Sequence, residues 1–369
     1  MYDYLVVGAG LAGSTLAERL ASRLDARVLL IDKRDHIGGN CHDPLSAEGL
    51  QYHRYGPHIF HTNSHAVVDY LSQFTQWRAY EHRVLARVGD ALVPIPINRT
   101  TINSLYGLDL DERGAAAFLR ERAEAVAHIR TSEDFVVSRV GRELYETFFR
   151  GYTRKQWGLD PSQLDAGVCG RVPTRTDDDD RYFSDRFQAM PADGFTAMIA
   201  RMLSNPRIEI ATSTSFSAIA ECVQYKHLIY TGPIDEYFAY IYGKLPYRSL
   251  RFEFETVASE WMQAAGCVNE PAAEIPYTRT TEYKHLTGQA HAKTILSREY
   301  PSATGEPYYP IPRPDNKALY DRYRLLAARE PSVTFVGRLA EYRYYNMDQA
   351  VASALAVFER LARTAQVAS

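Results

Sequence analysis

The chain has little cysteine, and none of it is spaced to build structure. Cys41, Cys169, Cys222 and Cys267 are its only four in 369 residues. That scatter excludes a disulfide framework and the paired spacings of zinc ligands, and it fits a reducing compartment. No metal site is expected. A surplus of charge of one sign is missing too: 42 Lys and Arg face 45 Asp and Glu, for a net charge of −3. Without a broad basic field, nucleic acid is not expected as a partner, and any anion site must be a local cluster of arginines. No apolar run reaches bilayer-spanning length. Met1 leads directly into an apolar segment with no basic stretch or cleavage site, so a cytoplasmic protein without membrane contact is expected. Internal repeats, low-complexity linkers and a second glycine fingerprint are also absent.

Tyrosine is what the chain does have, with 26 copies, many between Tyr225 and Tyr345. A phenol packs in sheets, or stacks on a base or sugar while its hydroxyl contacts phosphate oxygens. The length calls for two or three domains.

The N-terminus is the most informative stretch. An apolar run, Tyr4 to Val7, is followed by Gly8-Ala9-Gly10-Leu11-Ala12-Gly13 and then by a helical pattern through Leu16, Leu20 and Leu24. A second buried-type strand, Arg27 to Asp32, ends in that acid. In such a βαβ unit Gly8 permits the tight turn, Gly10 lets a pyrophosphate approach, and Gly13 lets helix pack on strand. The helix N-terminus, with Leu11 and Ala12, offers N–H groups and a positive dipole end to the diphosphate, and Asp32 is placed to accept from ribose hydroxyls.

Further on, Phe118, Leu119, Arg122, Val126 and Ile129 recur at helical spacing, and a second helix is expected over Phe135 to Phe149. Period-two runs from Arg83 to Ile97 and from Arg248 to Glu255 predict an antiparallel sheet. The acidic run Asp177 to Asp180 reads as a solvated loop or helix start. Ser332 to Gly337 reads as a last buried strand, followed by a helix with Val351, Ala354, Leu355, Phe358 and Leu361 on one face.

Several uncommon strings then fall in one order: Tyr55-Gly56-Pro57-His58-Ile59-Phe60-His61-Thr62, Tyr152-Thr153-Arg154-Lys155-Gln156-Trp157-Gly158, Arg171-Val172-Pro173-Thr174-Arg175, Pro276-Tyr277-Thr278-Arg279, Pro307-Tyr308-Tyr309-Pro310 and Arg343-Tyr344-Tyr345-Asn346-Met347-Asp348. In this order and at these separations they resemble the bacterial UDP-galactopyranose mutase family along essentially the whole chain. The resemblance implies an α/β fold: a discontinuous FAD-binding Rossmann-like domain (1–75, 189–235 and 333–369), a helical domain with a mobile substrate loop (100–170), and an antiparallel sheet domain lining the substrate site (76–99, 171–188 and 236–332). It also implies a homodimer.

Carried over residue by residue, the resemblance implies that FAD is held by Gly8, Gly10, Leu11, Ala12, Gly13, Asp32, Lys33, Gly39, Asn40, Tyr55, Gly56, His58, Ile59, Arg338, Tyr344, Asn346, Met347 and Asp348. Trp157, Tyr152 and Thr153, with Phe148, Phe149 and Asn269, would take the uracil and nucleoside. Arg171, Tyr182, Arg279, Tyr309 and Tyr344 would take the diphosphate, and Arg248 would lie beside the sugar or the mobile loop. His58 and His61 would line the flavin ring, and Arg171 and Arg279 would stabilise the departing UDP. Asn346 stands where many members carry an acid.

The implied reaction interconverts UDP-galactopyranose and UDP-galactofuranose with no net redox change. N5 of reduced FAD displaces UDP, forms a covalent adduct with the sugar, and lets it reclose as a furanose. Two alternatives stay open: the same chemistry on another nucleotide sugar, such as dTDP-fucopyranose or UDP-GalNAc, and an amine-oxidase-like flavin oxidoreductase.

Overall fold

The computed structural model describes residues 1–368. A parallel five-stranded sheet runs in the order Val333–Phe335, Tyr225–Tyr230, Tyr2–Val7, Val28–Ile31, Ile208–Ala211. The central strand, Tyr2–Val7, sets Val6 against Leu30 on one side and Ile229 on the other. Being central, it is hydrogen-bonded on both edges and covered on both faces, so it can be an unbroken apolar run. The helix Leu11–Leu24 packs Leu16 and Leu20 into this core, and the C-terminal helix Met347–Ala368 adds Val351, Ala354 and Phe358. Each such aliphatic or aromatic side chain contributes roughly 1.5–3 kcal/mol on burial.

A seven-stranded sheet forms the second layer, in the order Tyr309–Pro310, Tyr247–Val257, Thr294–Ser302, Arg279–Glu282, Cys267–Asn269, Val84–Val88, Ala91–Ile95. It is antiparallel as expected, except that Cys267–Asn269 pairs parallel with Val84–Val88. A small sheet joins Phe60–Thr62, Phe187–Pro191 and Trp77–Ala79; the middle strand straddles the boundary expected at 188/189.

The helical block shares one core with the hairpin: Phe118, Leu119, Val136 and Leu144 pack with Val84, Val93 and Ile95. Two helical expectations are corrected. Helix Glu112–Arg122 stops at Ala123, and Ile129 beyond it is 47% exposed. The apolar spacing at Val126 and Ile129 was coincidental, because the chain leaves the helix to reach the cap at Thr131, whose hydroxyl accepts from Asp134 N–H. The segment from Phe135 to Phe149 is not one helix. It breaks at Gly141 (φ 81°), where a Cβ would lie 2.3 Å from the Arg122 carbonyl oxygen. A π-helical turn, Tyr145–Arg150, follows, then helix Gly151–Trp157. The acidic run is a loop whose charges are met by arginines, Arg99 on Asp178 at 2.7 Å and Arg83 on Asp180 at 2.8 Å.

Candidate functional site

The glycine turn is shaped by close contacts. Gly8 has φ +104°, and a Cβ there would lie 2.0 Å from Thr231 Oγ1; a Cβ on Gly13 would lie 1.9 Å from the Gly8 carbonyl oxygen. Helix Leu11–Leu24 starts at Gly10 with no side chain capping it, so its first N–H groups are left for a ligand. Asp32 is buried; its Oδ2 accepts from Ala9 N–H at 2.8 Å and its Oδ1 from Arg34 N–H at 2.9 Å. These bonds fix the carboxylate beside the turn and leave it spare lone pairs.

Before this turn lies a cavity of about 460 Å³. Of the cofactor candidates, Gly8, Gly10, Leu11, Ala12, Gly13, Asp32, Lys33, Gly39, Asn40, His58, Arg338, Asn346 and Met347 line it. Tyr55, Gly56, Ile59, Tyr344 and Asp348 do not, and Tyr344 lines a different cavity. The Tyr55 hydroxyl is 2.7 Å from His36 Nε2, and Gly56 lies against Phe252. Ile59 is in the core, and Asp348 accepts from Thr62 Oγ1 at 2.7 Å, tying the C-terminal helix to the small sheet. The cavity is also lined by Thr214, Ser215, Phe216, Thr231, Tyr237 and Glu306, which sequence reasoning missed. Thr231-Gly232 directly follows a strand of the parallel sheet, and that position was the available signal.

A second cavity, of about 350 Å³, gathers Phe148, Phe149, Tyr152, Thr153, Trp157, Arg171, Tyr182, Asn269, Arg279, Tyr309 and Tyr344. Sheet register explains part of this grouping, since Asn269, Arg279 and Glu299 stand opposite one another on three adjacent strands. Arg279 Nε is 3.6 Å from Glu299 Oε2 and has no hydrogen-bond partner. Burial works against its charge, but Glu299 together with the other groups around it more than offsets that, and the guanidinium stays protonated. Arg171 lies 3.7 Å from the centroid of the Tyr344 ring and donates from Nη2 to the Tyr344 carbonyl oxygen at 2.9 Å. Burial raises the Tyr152, Tyr182 and Tyr309 phenols, so they stay neutral and can donate hydrogen bonds without adding charge.

Helix Gly151–Trp157 carries Tyr152, Thr153 and Trp157 into this cavity and is fastened from two sides. Lys155 Nζ donates to the carbonyl oxygens of Glu270, Ala272, Ile275 and Tyr277. Arg248 is buried outside the cavity lining and caps the helix C-terminus, with Nε on the Gln156 carbonyl at 2.9 Å and Nη2 on the Lys155 carbonyl at 3.1 Å. It therefore touches the helix end and not the cavity. A cation there also opposes the negative end of the helix dipole.

The two cavities share a wall. Tyr344 lines the second and Tyr345 the first, in a tight turn where Tyr345 N–H donates to the Arg343 carbonyl at 3.0 Å. Arg338 donates to the Tyr345 carbonyl at 2.8 Å, and its guanidinium carbon lies 5.6 Å from both the Tyr309 and Tyr344 ring centroids. His58 lines the first cavity. Burial pushes it down to about 4, and its Nδ1 is 2.8 Å from the Gly56 carbonyl. The neutral ring therefore donates from Nδ1 and keeps Nε2 as an acceptor. His61, expected beside the flavin, lines neither cavity. It pairs with Asp185 at 2.7 Å and stacks on Phe183 with centroids 3.6 Å apart, because the pairing of Phe60–Thr62 with Phe187–Pro191 brings that chain segment alongside. Among the described residues, no group of three or more His, Cys, Asp or Glu side chains could hold a metal ion, and no helix is long and apolar enough to cross a membrane.

A Rossmann unit with an uncapped glycine turn, beside a second cavity lined by arginines and tyrosines, defines the class: a protein built on a Rossmann-type dinucleotide-binding domain. A family model described as UDP-galactopyranose mutase matches residues 147–344, and one described as an NAD(P)-binding Rossmann-like domain matches residues 6–74. The chain is 39% identical over 359 residues to a probable UDP-galactopyranose mutase of Klebsiella pneumoniae, covering 96% of this chain and 93% of that one. It is 34% identical over 368 residues to a dTDP-fucopyranose mutase of Escherichia coli, covering 96% and 97%. A solved structure, of reduced UDP-galactopyranose mutase, shares the fold with a TM-score of 0.79 at 16% identity, over 99% of this chain and 94% of that one. The chain belongs to the UDP-galactopyranose mutase family and is an enzyme of the isomerase class.

Proposed function

We propose that the protein binds FAD in the glycine-turn cavity and interconverts the pyranose and furanose forms of UDP-galactose at the adjoining cavity. One observation carries this reading: two guanidinium groups and several neutral phenols converge on a cavity that shares a wall with the dinucleotide cradle. The cradle fits the cofactor, since a Cβ at Gly8 or Gly13 would collide with its own wall and the helix above it has uncapped N–H groups. When bound and reduced, the flavin supplies a nucleophile for the anomeric carbon and is not consumed.

The chain's own residues do the rest. Arg171 and Arg279 offset the charge of the diphosphate as it leaves, the stage at which preorganised cations matter most. Tyr182, Tyr309 and Tyr344 donate to phosphate oxygens, Trp157 and Tyr152 give planar area for the nucleoside, and Phe148 and Phe149 with Thr153 and Asn269 close its surroundings. His58 presents a neutral acceptor to the flavin side. The same reading takes residues 1–75, 189–235 and 333–369 as the cofactor domain, and it has the segment carrying Arg171 close over the ligand to exclude water.

The dTDP-fucopyranose mutase relative supports a second reading, with the same chemistry on a deoxythymidine nucleotide sugar. Anaerobic incubation of the dithionite-reduced protein with a panel of nucleotide sugars, followed by chromatography, separates the two. A furanose product from UDP-galactose supports the first reading and from dTDP-fucose the second. Oxygen consumption with net oxidation of substrate, and no furanose, would falsify both.

A further inference from the structure

The cavity holds polar atoms that the roles above leave unused. Helix Gly151–Trp157 turns a stripe at i, i+1, i+4 and i+5 toward it: Tyr152, Thr153, Gln156 and Trp157. Gln156 is 7% exposed, and its Oε1 is buried with no hydrogen-bond partner. The helix turn that carries it is held in place, because its own backbone carbonyl accepts from Arg248 at 2.9 Å and the preceding residue, Lys155, donates to carbonyls of the Glu270 to Tyr277 segment. Asn269, reaching the cavity from the sheet, has a second buried oxygen without a partner, and Arg279 Nε is a buried donor without one. The wall as a whole thus asks a ligand for hydrogen-bond donors at two amides and for an acceptor at the guanidinium. Buried acceptors are rarely left unpaired in a finished complex, because the loss of hydration is uncompensated.

We propose that Gln156 is a substrate-binding residue whose side-chain oxygen accepts a hydrogen bond from the nucleoside part of the ligand, from either the imide N–H of a uracil or thymine ring or a ribose hydroxyl. This rests on the nucleotide-sugar reading above and adds a residue that decides nucleoside preference. A diphosphate carries no donor at neutral pH, so it cannot satisfy Gln156. A pyrimidine imide or a ribose can, and a ring nitrogen without hydrogen, as in cytosine, cannot.

The test is calorimetric titration of the flavin-loaded protein and of Gln156→Met with UDP, N3-methyl-UDP, 2′-deoxy-UDP and 3′-deoxy-UDP. UDP should bind Gln156→Met roughly three- to tenfold more weakly, the loss of one hydrogen bond. One analogue, lacking the donor that Gln156 takes, should bind both proteins equally and so name the donor. Equal binding of UDP by wild type and a folded variant, judged by flavin absorbance and melting temperature, overturns the proposal. So does an equal loss for every ligand, which would mark a packing role. If the variant does not fold, the wild type decides: one analogue should bind three- to tenfold below UDP, and uniform affinity refutes it. A flavin-loaded wild type that fails to bind UDP at all removes the nucleotide-sugar reading itself.

Discussion

At Arg279 two opposing forces meet. Its burial disfavours charge, yet Glu299 at 3.6 Å and the other groups around it keep it protonated while leaving Nε without a partner. In the proposed reaction a cation held this way would meet a phosphate and cost little to reorganise as the leaving group departs. Arg279→Ala should therefore lower turnover by about 10²–10³-fold or more while flavin absorbance is retained. A variant that is both active and flavin-replete would rule out this role. At Gly13 the restriction is steric, since a methyl group would lie 1.9 Å from the Gly8 carbonyl. Gly13→Ala should purify largely colourless, and absorbance near the flavin bands at equal protein concentration measures it. The types of both residues are plain in the sequence. Which cavity Arg279 reaches, and that His61 reaches neither, was set by strand pairing far away in the chain.

Among the elements, helix Gly151–Trp157 brings Tyr152, Thr153, Gln156 and Trp157 to the second cavity. Its aromatic spacing is legible in the sequence; its fastening is not, because the four carbonyls that bind Lys155 belong to the segment between Glu270 and Tyr277. Burial lowers Lys155 to about 8, against the pull of Glu270 and Glu274. Lys155→Met should raise KM for the nucleotide sugar by roughly tenfold, as charged hydrogen bonds are lost, with flavin content unchanged. In the wild type KM should climb as pH passes about 8 and the ammonium loses a donor, whereas the variant should show a flat profile. A pH-independent KM in the wild type counts against the clamp. The helices before this one show the opposite case. Apolar spacing alone continues a helix through Ile129, but the helix ends at Arg122, a new one starts at the Thr131 cap, and that one breaks where Gly141 lies against the Arg122 carbonyl.

Across the whole molecule, several histidines are buried neutral. His53 and His82 are pushed down to about 3, and His58 to about 4, each chiefly by burial, from an ordinary 6.5. Below 6.5 the unfolded chain takes up protons that the folded one refuses. Stability should therefore fall as pH drops from about 6.5 toward 4, by up to about 1.4 kcal/mol per pH unit for each group. Melting temperatures across that range check the sign, and a constant value from pH 6.5 to 4.5 would contradict the burial of these rings.

The sequence alone determined the dinucleotide unit, because its glycines, helix and acid act within thirty-odd consecutive residues whose geometry is local. It also determined which residue types make an anion site. Only the tertiary structure decided how they meet. The register of three strands sets Asn269, Arg279 and Glu299 abreast, the neighbours Tyr344 and Tyr345 line different cavities, and Arg248 turns from the cavity to a helix end. Such contacts join residues tens to hundreds of positions apart, and no local periodicity encodes which partner a side chain will find.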